Sequence, residues 1–269
     1  MKLLNVINAL IPPLVLFLIL MSIRWYSGFS GRYESWSKAL QRCKGYEHVD
    51  IVDTYSKNLR NHLENASSSG TKISGRKIRV LAAFGLAQSL AGDSVREIVD
   101  FGGGYGADYF ELAPNLPDLN SWVVVESKEV AGKLSQTPGL PERLSFSDKI
   151  PTHANNQLIF ASGAIQCLEE GLGLLDSFTE TSQFVVLDRV PITTQQNSCI
   201  SIQRTSRLLG GVGSSYPVWF FSARDFERAL NGKWKVVLQW EVPEDAPYYS
   251  LSRLVYSGFL LQRIIETEQ

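Results

Sequence analysis

Between residues 97 and 188 the chain alternates short, nearly unbroken apolar runs with mixed stretches long enough to be crossovers. The runs are 97–101, 121–126 (Ser-Trp-Val-Val-Val-Glu), 143–147, 157–162 (Gln-Leu-Ile-Phe-Ala-Ser) and 183–188 (Gln-Phe-Val-Val-Leu-Asp). Strands this apolar, joined by crossovers, predict a parallel sheet covered on both faces. Two more strand candidates, 234–242 and 253–264, are separated only by a loop carrying Pro243, Pro247 and Tyr248-Tyr249, and predict a closing antiparallel pair. Ahead of the first strand, Val80, Leu81, Phe84, Ala87 and Leu90 recur at helical spacing and predict a helix over about 76–91, ended by Gly92-Asp93. Ile51 to Leu63 has the same periodicity. The expected class is α/β: a doubly wound sheet, mostly parallel with a terminal antiparallel strand, behind an N-terminal helical extension. Residues 65–75 (Asn-Ala-Ser-Ser-Ser-Gly-Thr-Lys-Ile-Ser-Gly) read as a flexible linker, dividing an extension over 1–75 from a main domain over 76–269.

The N-terminus admits two readings. Ala9 to Met21 is an apolar run of thirteen residues, extended loosely back to Leu3. That is short of the roughly 18–20 residues a bilayer span needs, and Pro12-Pro13 interrupts it. No small-residue cleavage site follows; Arg24-Trp25-Tyr26 does. Residues 3–23 are therefore expected either to dock on the protein as a short helix or to touch a membrane, with Arg24 and Arg32 on the cytoplasmic side.

Composition narrows the function classes. The 269 residues are 44% hydrophobic and 20% charged, a globular balance, and the net charge is -1. No basic stripe with interleaved aromatics is present, so a nucleic-acid partner has no support. Cys43, Cys167 and Cys199 are odd in number and far apart, which fits a reducing cytoplasm and excludes a disulfide scaffold or a Cys-x-x-Cys metal site. No metal is expected.

The chemistry is concentrated at residues 97–110, where the first strand runs into Asp100-x-Gly102-x-Gly104-x-Gly106. Glycines on alternate positions let the backbone turn sharply and approach a ligand, and the following helix directs free N–H groups toward it. Gly102-x-Gly104-x-x-Ala107 also satisfies the dinucleotide fingerprint, with Glu126 at the distance of a ribose-binding acid, so an NAD-dependent oxidoreductase is an alternative. Asp100 favours S-adenosylmethionine: a carboxylate two positions before the first glycine sits badly near a diphosphate and can attract an ammonium or sulfonium charge. The topology then supplies further cofactor contacts, because ligands lie at the carboxyl ends of parallel strands. Glu126 is expected at the ribose hydroxyls, Asp148 at the adenine amino group, and Ser162-Gly163 beside the transferring methyl, with Gln166 one turn on.

For a hydroxyl acceptor a base is needed within hydrogen-bond reach. Asp188, at the end of the fifth strand, is the first candidate, with Arg189 orienting an anionic or sugar acceptor through its planar fork. The alternative kept open is that both pair with structural partners and only shape their loop. His153, in a loop after Pro151-Thr152, is the runner-up base; His48 and His62 have no constellation around them. In 215–221 (Ser-Tyr-Pro-Val-Trp-Phe-Phe), Phe220 and Phe221 are expected to be buried before a helix capped by Ser222, and Tyr216 to present its hydroxyl near the site. Gln203 is a weaker pocket candidate. A non-catalytic protein on the same fold, binding a partner through its apolar N-terminus, is the third reading.

Nearly the whole chain resembles a bacterial family of proteins assigned as S-adenosylmethionine-dependent methyltransferases and often associated with polysaccharide or O-antigen gene clusters. The resemblance rests on Gly28-Phe29-Ser30-Gly31-Arg32-Tyr33-Glu34-Ser35-Trp36 with Ala39 and Gly45-Tyr46, Asp100-Phe101-Gly102-Gly103 with Tyr109-Phe110, and Trp122-Val123-Val124-Val125-Glu126. It continues through Ser162 with Ile165-Gln166-Cys167-Leu168, Leu187-Asp188-Arg189 with Pro191, and Ser215-Tyr216-Pro217 with Trp219-Phe220-Phe221-Ser222. The chain departs from that pattern at Val190, Cys167 and Val218. The resemblance implies a Rossmann-like class I methyltransferase sheet, S-adenosylmethionine as cofactor and a small-molecule or glycan-precursor acceptor.

Overall fold

Strand β5 (Gln157–Ser162) is buried at all six positions, and its alternating side chains divide the interior into two layers. Leu158 and Phe160 join a cluster with Val80, Phe84, Ile98, Trp122, Val124, Phe184 and Val186. Ile159 and Ala161 face the opposite way, toward Val99, Phe178, Val185, Leu187, Phe226 and Phe259. This period-two division is what a parallel strand covered on both faces requires. The molecule is described from a computed structural model over Val15 and residues 28–43, 49–65, 74–92, 95–151, 157–205, 214–243 and 254–265.

The remaining strands are β1 (Gly28–Tyr33), β2 (Glu97–Phe101), β3 (Ser121–Val125), β4 (Leu144–Ser147), β6 (Phe184–Thr193), β7 (Cys199–Arg204), β8 (Ser215–Ser222), β9 (Trp234–Glu241) and β10 (Leu254–Arg263). The main sheet has the order β4-β3-β2-β5-β6-β10-β9, parallel except for β10, which lies antiparallel between β6 and β9. The strand order reverses between β2 and β5, which places the crevice for a ligand above their carboxyl ends.

Two helices, Val49–Asn65 and Gly75–Leu90, follow the periodicity read from the sequence. The helices are α1 (Trp36–Leu40), α2 (Val49–Asn65), α3 (Gly75–Leu90), α4 (Ala107–Leu112), α5 (Lys128–Leu134), α6 (Leu174–Thr181) and α7 (Ala223–Leu230). Ser74 caps α3, its hydroxyl accepting from Lys77 N–H, and Val80, Ala83, Phe84 and Ala87 bury the helix against the sheet. Ser222 caps α7 in the expected way, accepting from Asp225 N–H. Residues 66–73, most of the proposed linker, lie outside the described residues, as does 3–23 apart from Val15. Among the described residues no helix is long and apolar enough to cross a membrane.

The segment 215–221 leads into the helix capped by Ser222 as expected, and is itself a strand. β8 pairs antiparallel with β7 along its length and meets β6 only at Phe221 and Ser222. That leaves the edge beside Pro217 without a strand, so the missing N–H breaks no ladder there. β1 adds to β7, giving an antiparallel extension to which α1 contributes Ala39 against Ile200 and Ile202.

Candidate active site

The glycine loop is built from left-handed backbone. Gly102, Gly104 and Gly106 have φ of +69°, +62° and +78°, and Gly106 opens α4. Gly102 N–H donates to Val125 O at 2.8 Å, tying the loop to β3. A Cβ on Gly102 would stand 2.6 Å from Ala164 Cβ. The loops after β2 and β5 therefore touch at the switch point, and only glycine permits it.

Asp100 supports this loop from below. Its side chain is 1% exposed, accepts from Trp122 Nε1–H at 3.1 Å, and lies where a Cβ on Gly103 would collide with its carboxylate. Burial pushes its carboxyl up to about 7, against the pull of the Trp122 hydrogen bond and the nearby Lys77. A carboxyl whose pKa is higher in the fold than in the unfolded chain stabilises the fold at low pH and loses that contribution as pH rises through about 4 to 7. We expect Asp100→Asn, which keeps an acceptor for Trp122, to gain about 2–4 kcal/mol relative to the parent between pH 4 and pH 8, at roughly 1.4 kcal/mol per pH unit of window. Urea unfolding at the two pH values checks it; parallel profiles would contradict the assignment.

Glu126 follows β3 and bends back over the loop, Oε1 accepting from Gly104 N–H at 2.9 Å and Oε2 from Ser127 N–H at 3.2 Å. Burial raises its pKa while those two bonds lower it. Tyr55, on α2, packs on the same loop: a Cβ on Gly104 would stand 3.4 Å from its ring. Burial and the Glu126 charge push the Tyr55 phenol above its usual range. The sequence reading missed Tyr55; helical periodicity located its helix but not the loop beneath it. Asp148 is exposed in the turn after β4, where Ser147 Oγ bonds both the N–H and the carbonyl of Lys149.

Where β5 ends beside the middle of β6, a buried polar network joins four elements; Asp188 does not end its strand as expected, because β6 runs on to Thr193. Asp188 is 0% exposed. Its Oδ2 accepts from Arg76 Nη1 at 2.7 Å and from Ser162 Oγ at 3.1 Å, and its Oδ1 from Trp240 Nε1 at 3.3 Å. Trp240 reaches it across β10 because Gly258, its cross-strand partner, has no Cβ to stand in the indole's place. Arg189 takes the left-handed backbone at φ +59°, a conformation that non-glycine residues adopt at a cost of about 1–3 kcal/mol. Its Nε donates to Ser162 Oγ at 3.1 Å and its Nη2 to Ser162 O at 3.0 Å. Both oxygens of Asp188 are thus engaged, an arrangement that fits the loop-shaping alternative better than a free base.

Gln166 lies in the short 3-10 turn Ile165–Cys167 and is 5% exposed. Its Nε2 donates to Arg189 O at 3.1 Å, an atom that only accepts, so Oε1 must face the other way, and among the described residues it has no partner. Sequence reasoning also missed Arg76 and Lys77 at the start of α3. Lys77, 2% exposed, pairs with Asp108 and lies 3.7 Å from Glu111. Burial, then the neighbouring Arg76, lowers its pKa to about 8.

Other candidates stand apart from this network. Tyr216 is buried on β8, paired across strands with Gln203, on the face that carries Val218 and Phe220. Phe220 and Phe221 are 3% and 2% exposed, as expected. His62 packs against Tyr105 and Phe110 at ring distances of 5.5 and 5.3 Å. His153 and His48 lie outside the described residues.

No protein-family model and no curated protein matches the chain. Solved structures with a similar layout include the N-terminal domain of EvdMO1 in the presence of SAH and D-fucose, at 13% identity and TM-score 0.47, covering 81% of this chain and 100% of that one. An S-adenosylmethionine-dependent methyltransferase from Clostridium acetobutylicum matches at 11% identity and TM-score 0.46, over 78% of this chain and 98% of that one. The [4+2]-cyclase SpnF matches at 11% identity and TM-score 0.46, over 89% of this chain and 100% of that one. At these identities and scores the likeness assigns no activity.

Proposed function

We propose that this chain is an S-adenosylmethionine-dependent methyltransferase acting on a small-molecule or glycan-precursor acceptor. The observation that carries the reading is the glycine loop: three left-handed glycines at the switch point, with an acid beneath and Glu126 beside them. The strand order, with β10 inserted antiparallel next to the last parallel neighbour, is the arrangement that class I methyltransferases share and supports the same reading.

The residues present fit such a cofactor. The loop offers backbone without side chains at its closest approach. Glu126 is a half-buried carboxylate that can accept from two ribose hydroxyls; Asp148, just past β4, is the candidate for the adenine amino group and Ser162 the candidate beside the transferring methyl. Once bound, S-adenosylmethionine supplies a methyl group already activated as a sulfonium, so positioning and exclusion of water are the chain's main contributions. Asp188 holds Arg76 and Ser162 in place; Arg189 fixes the β5 end and, through its carbonyl, the amide of Gln166. The unpartnered Gln166 Oε1 then accepts from an O–H or N–H of the acceptor, because a buried carbonyl left without a donor costs about 1–3 kcal/mol. Tyr216 remains a candidate acceptor contact on the β7–β8 extension. A role in polysaccharide biosynthesis, a cytoplasmic location and contact of residues 3–23 with the inner membrane face rest on the sequence reading.

Glu126→Ala is expected to weaken S-adenosylhomocysteine by roughly 10- to 100-fold in calorimetry, the worth of one charge-assisted hydrogen bond; an unchanged affinity would remove Glu126 from the site. The function itself is tested by incubating the purified chain with methyl-labelled S-adenosylmethionine and small-molecule and glycan-precursor extracts from cells lacking it. Label is expected in one acceptor fraction. Tight S-adenosylhomocysteine binding with no transfer into any fraction would favour the non-catalytic reading.

A further inference from the structure

Only one end of the Arg76 guanidinium is hydrogen-bonded; the other makes a looser ion pair with Asp108. Both hydrogen bonds of this side chain leave from Nη1, to Asp188 Oδ2 at 2.7 Å and Ser162 Oγ at 3.2 Å. Nη2 lies 3.7 Å from Asp108 Oδ1, beyond hydrogen-bond reach, and that oxygen is already in close contact with Lys77 Nζ. Nε has no hydrogen-bond partner among the described residues. The Nε–Nη2 edge, which presents two parallel N–H donors in the spacing of a carboxylate, is therefore open.

The position of that edge matters. Asp108 sits in the first turn of α4, directly after the glycine loop, while Ser162 ends β5 and Asp188 pairs with it from the middle of β6. Arg76 spans these points, so its guanidinium crosses the carboxyl ends of the strands at the crevice where the strand order reverses. The side chain keeps 17% exposure although its Nη1 is held on a fully buried carboxylate. A purely structural partner for Asp188 would not need the second edge: Ser162 Oγ already receives Arg189 Nε at 3.1 Å, so two guanidinium groups converge on one hydroxyl. Lys77 lies beside this cluster, its pKa lowered first by burial and then by the Arg76 and Arg189 charges, against the pull of Glu111 and Asp100. An anion is the ligand such a place receives, and a planar one suits the fork.

We propose that Arg76 binds the carboxylate of the cofactor's methionine portion through its Nε–Nη2 edge. The assignment rests on the methyltransferase reading above, which places a single carboxylate at the amino-acid end of the ligand. With Nη1 anchored by Asp188 and Ser162, the fork is pre-organised and loses little freedom on binding.

Calorimetry on the full chain with two probes separates this role from a structural one. S-adenosylhomocysteine carries the amino-acid portion; 5′-methylthioadenosine keeps the adenosine and thioether and lacks it. Arg76→Gln is expected to weaken S-adenosylhomocysteine by roughly 10- to 100-fold and to leave 5′-methylthioadenosine within about twofold. Arg76→Lys, a charge without a fork, should fall between. Arg76→Gln also strips buried Asp188 of its cation, so the same split must persist in Arg76→Gln combined with Asp188→Asn, where the network is neutral. Equal loss for both probes, or no loss for either, would overturn the assignment; the second result would leave the edge to an anionic acceptor. If the parent chain binds neither probe, the methyltransferase reading fails first, and the two failures are distinguishable.

Discussion

Replacing Asp188 with alanine should cost the fold about 3–5 kcal/mol, the largest stability loss expected from a single change at this site. The carboxylate is fully buried and receives Arg76, Ser162 and Trp240. Its removal leaves the Arg76 guanidinium with no hydrogen-bonded anion and the Trp240 indole N–H without an acceptor. Asp188→Asn retains an amide oxygen for part of this set and should cost no more than about half as much. Urea unfolding of the three proteins gives the comparison. A loss below about 1 kcal/mol for Asp188→Ala would mean that the network holds little of the structure, and would return Asp188 to consideration as a base.

Gly102→Ala should abolish measurable cofactor binding, a loss of about 100-fold or more, while most of the fold survives. Two costs coincide there. The residue must hold φ at +69°, which for alanine costs roughly 1–2 kcal/mol, and its Cβ would stand 2.6 Å from Ala164. The affordable relaxation moves the 164–167 turn, which carries Gln166 and closes on the loop. Gly85→Ala is the control: it lies within α3 with open space around the added Cβ and should be neutral or stabilising by about 0.5–1 kcal/mol. Calorimetry with S-adenosylhomocysteine and a thermal melt of each variant report binding and fold separately. Retained affinity in Gly102→Ala would show that the loop is not the cradle.

Much of the main sheet was legible in the chain because parallel strands covered on both faces must be apolar runs. The expected 157–162 and 97–101 coincide with β5 and β2, and 183–188 covers the first half of β6, which starts at Phe184 and runs on to Thr193. The antiparallel extension was not legible. Pro217 argues against a strand until the free edge of β8 is known, and the glycines of β1 obscure its alternation. At the site, the spacing of Gly102, Gly104 and Gly106 announced sharp turns, and each of the three takes left-handed backbone. What spacing cannot convey is partnership across the chain. Arg76 and Asp188 are 112 residues apart, and no local pattern tells that one anchors the other. Nor could the position of Asp100 two residues before the first glycine reveal that its carboxyl points under the loop toward Trp122 rather than into the crevice. Tyr55 belongs to the same class: a residue on an amphipathic helix, given its role by what it lands on.

The central claim is that the crevice between β2 and β5 holds S-adenosylmethionine rather than a dinucleotide. A calorimetric titration of the full chain with S-adenosylhomocysteine, and in parallel with NAD+ and NADH, tests it most directly. One S-adenosylhomocysteine bound per chain, with no heat from either dinucleotide, is the predicted result. Saturable binding of NAD+ or NADH with none of S-adenosylhomocysteine would contradict it.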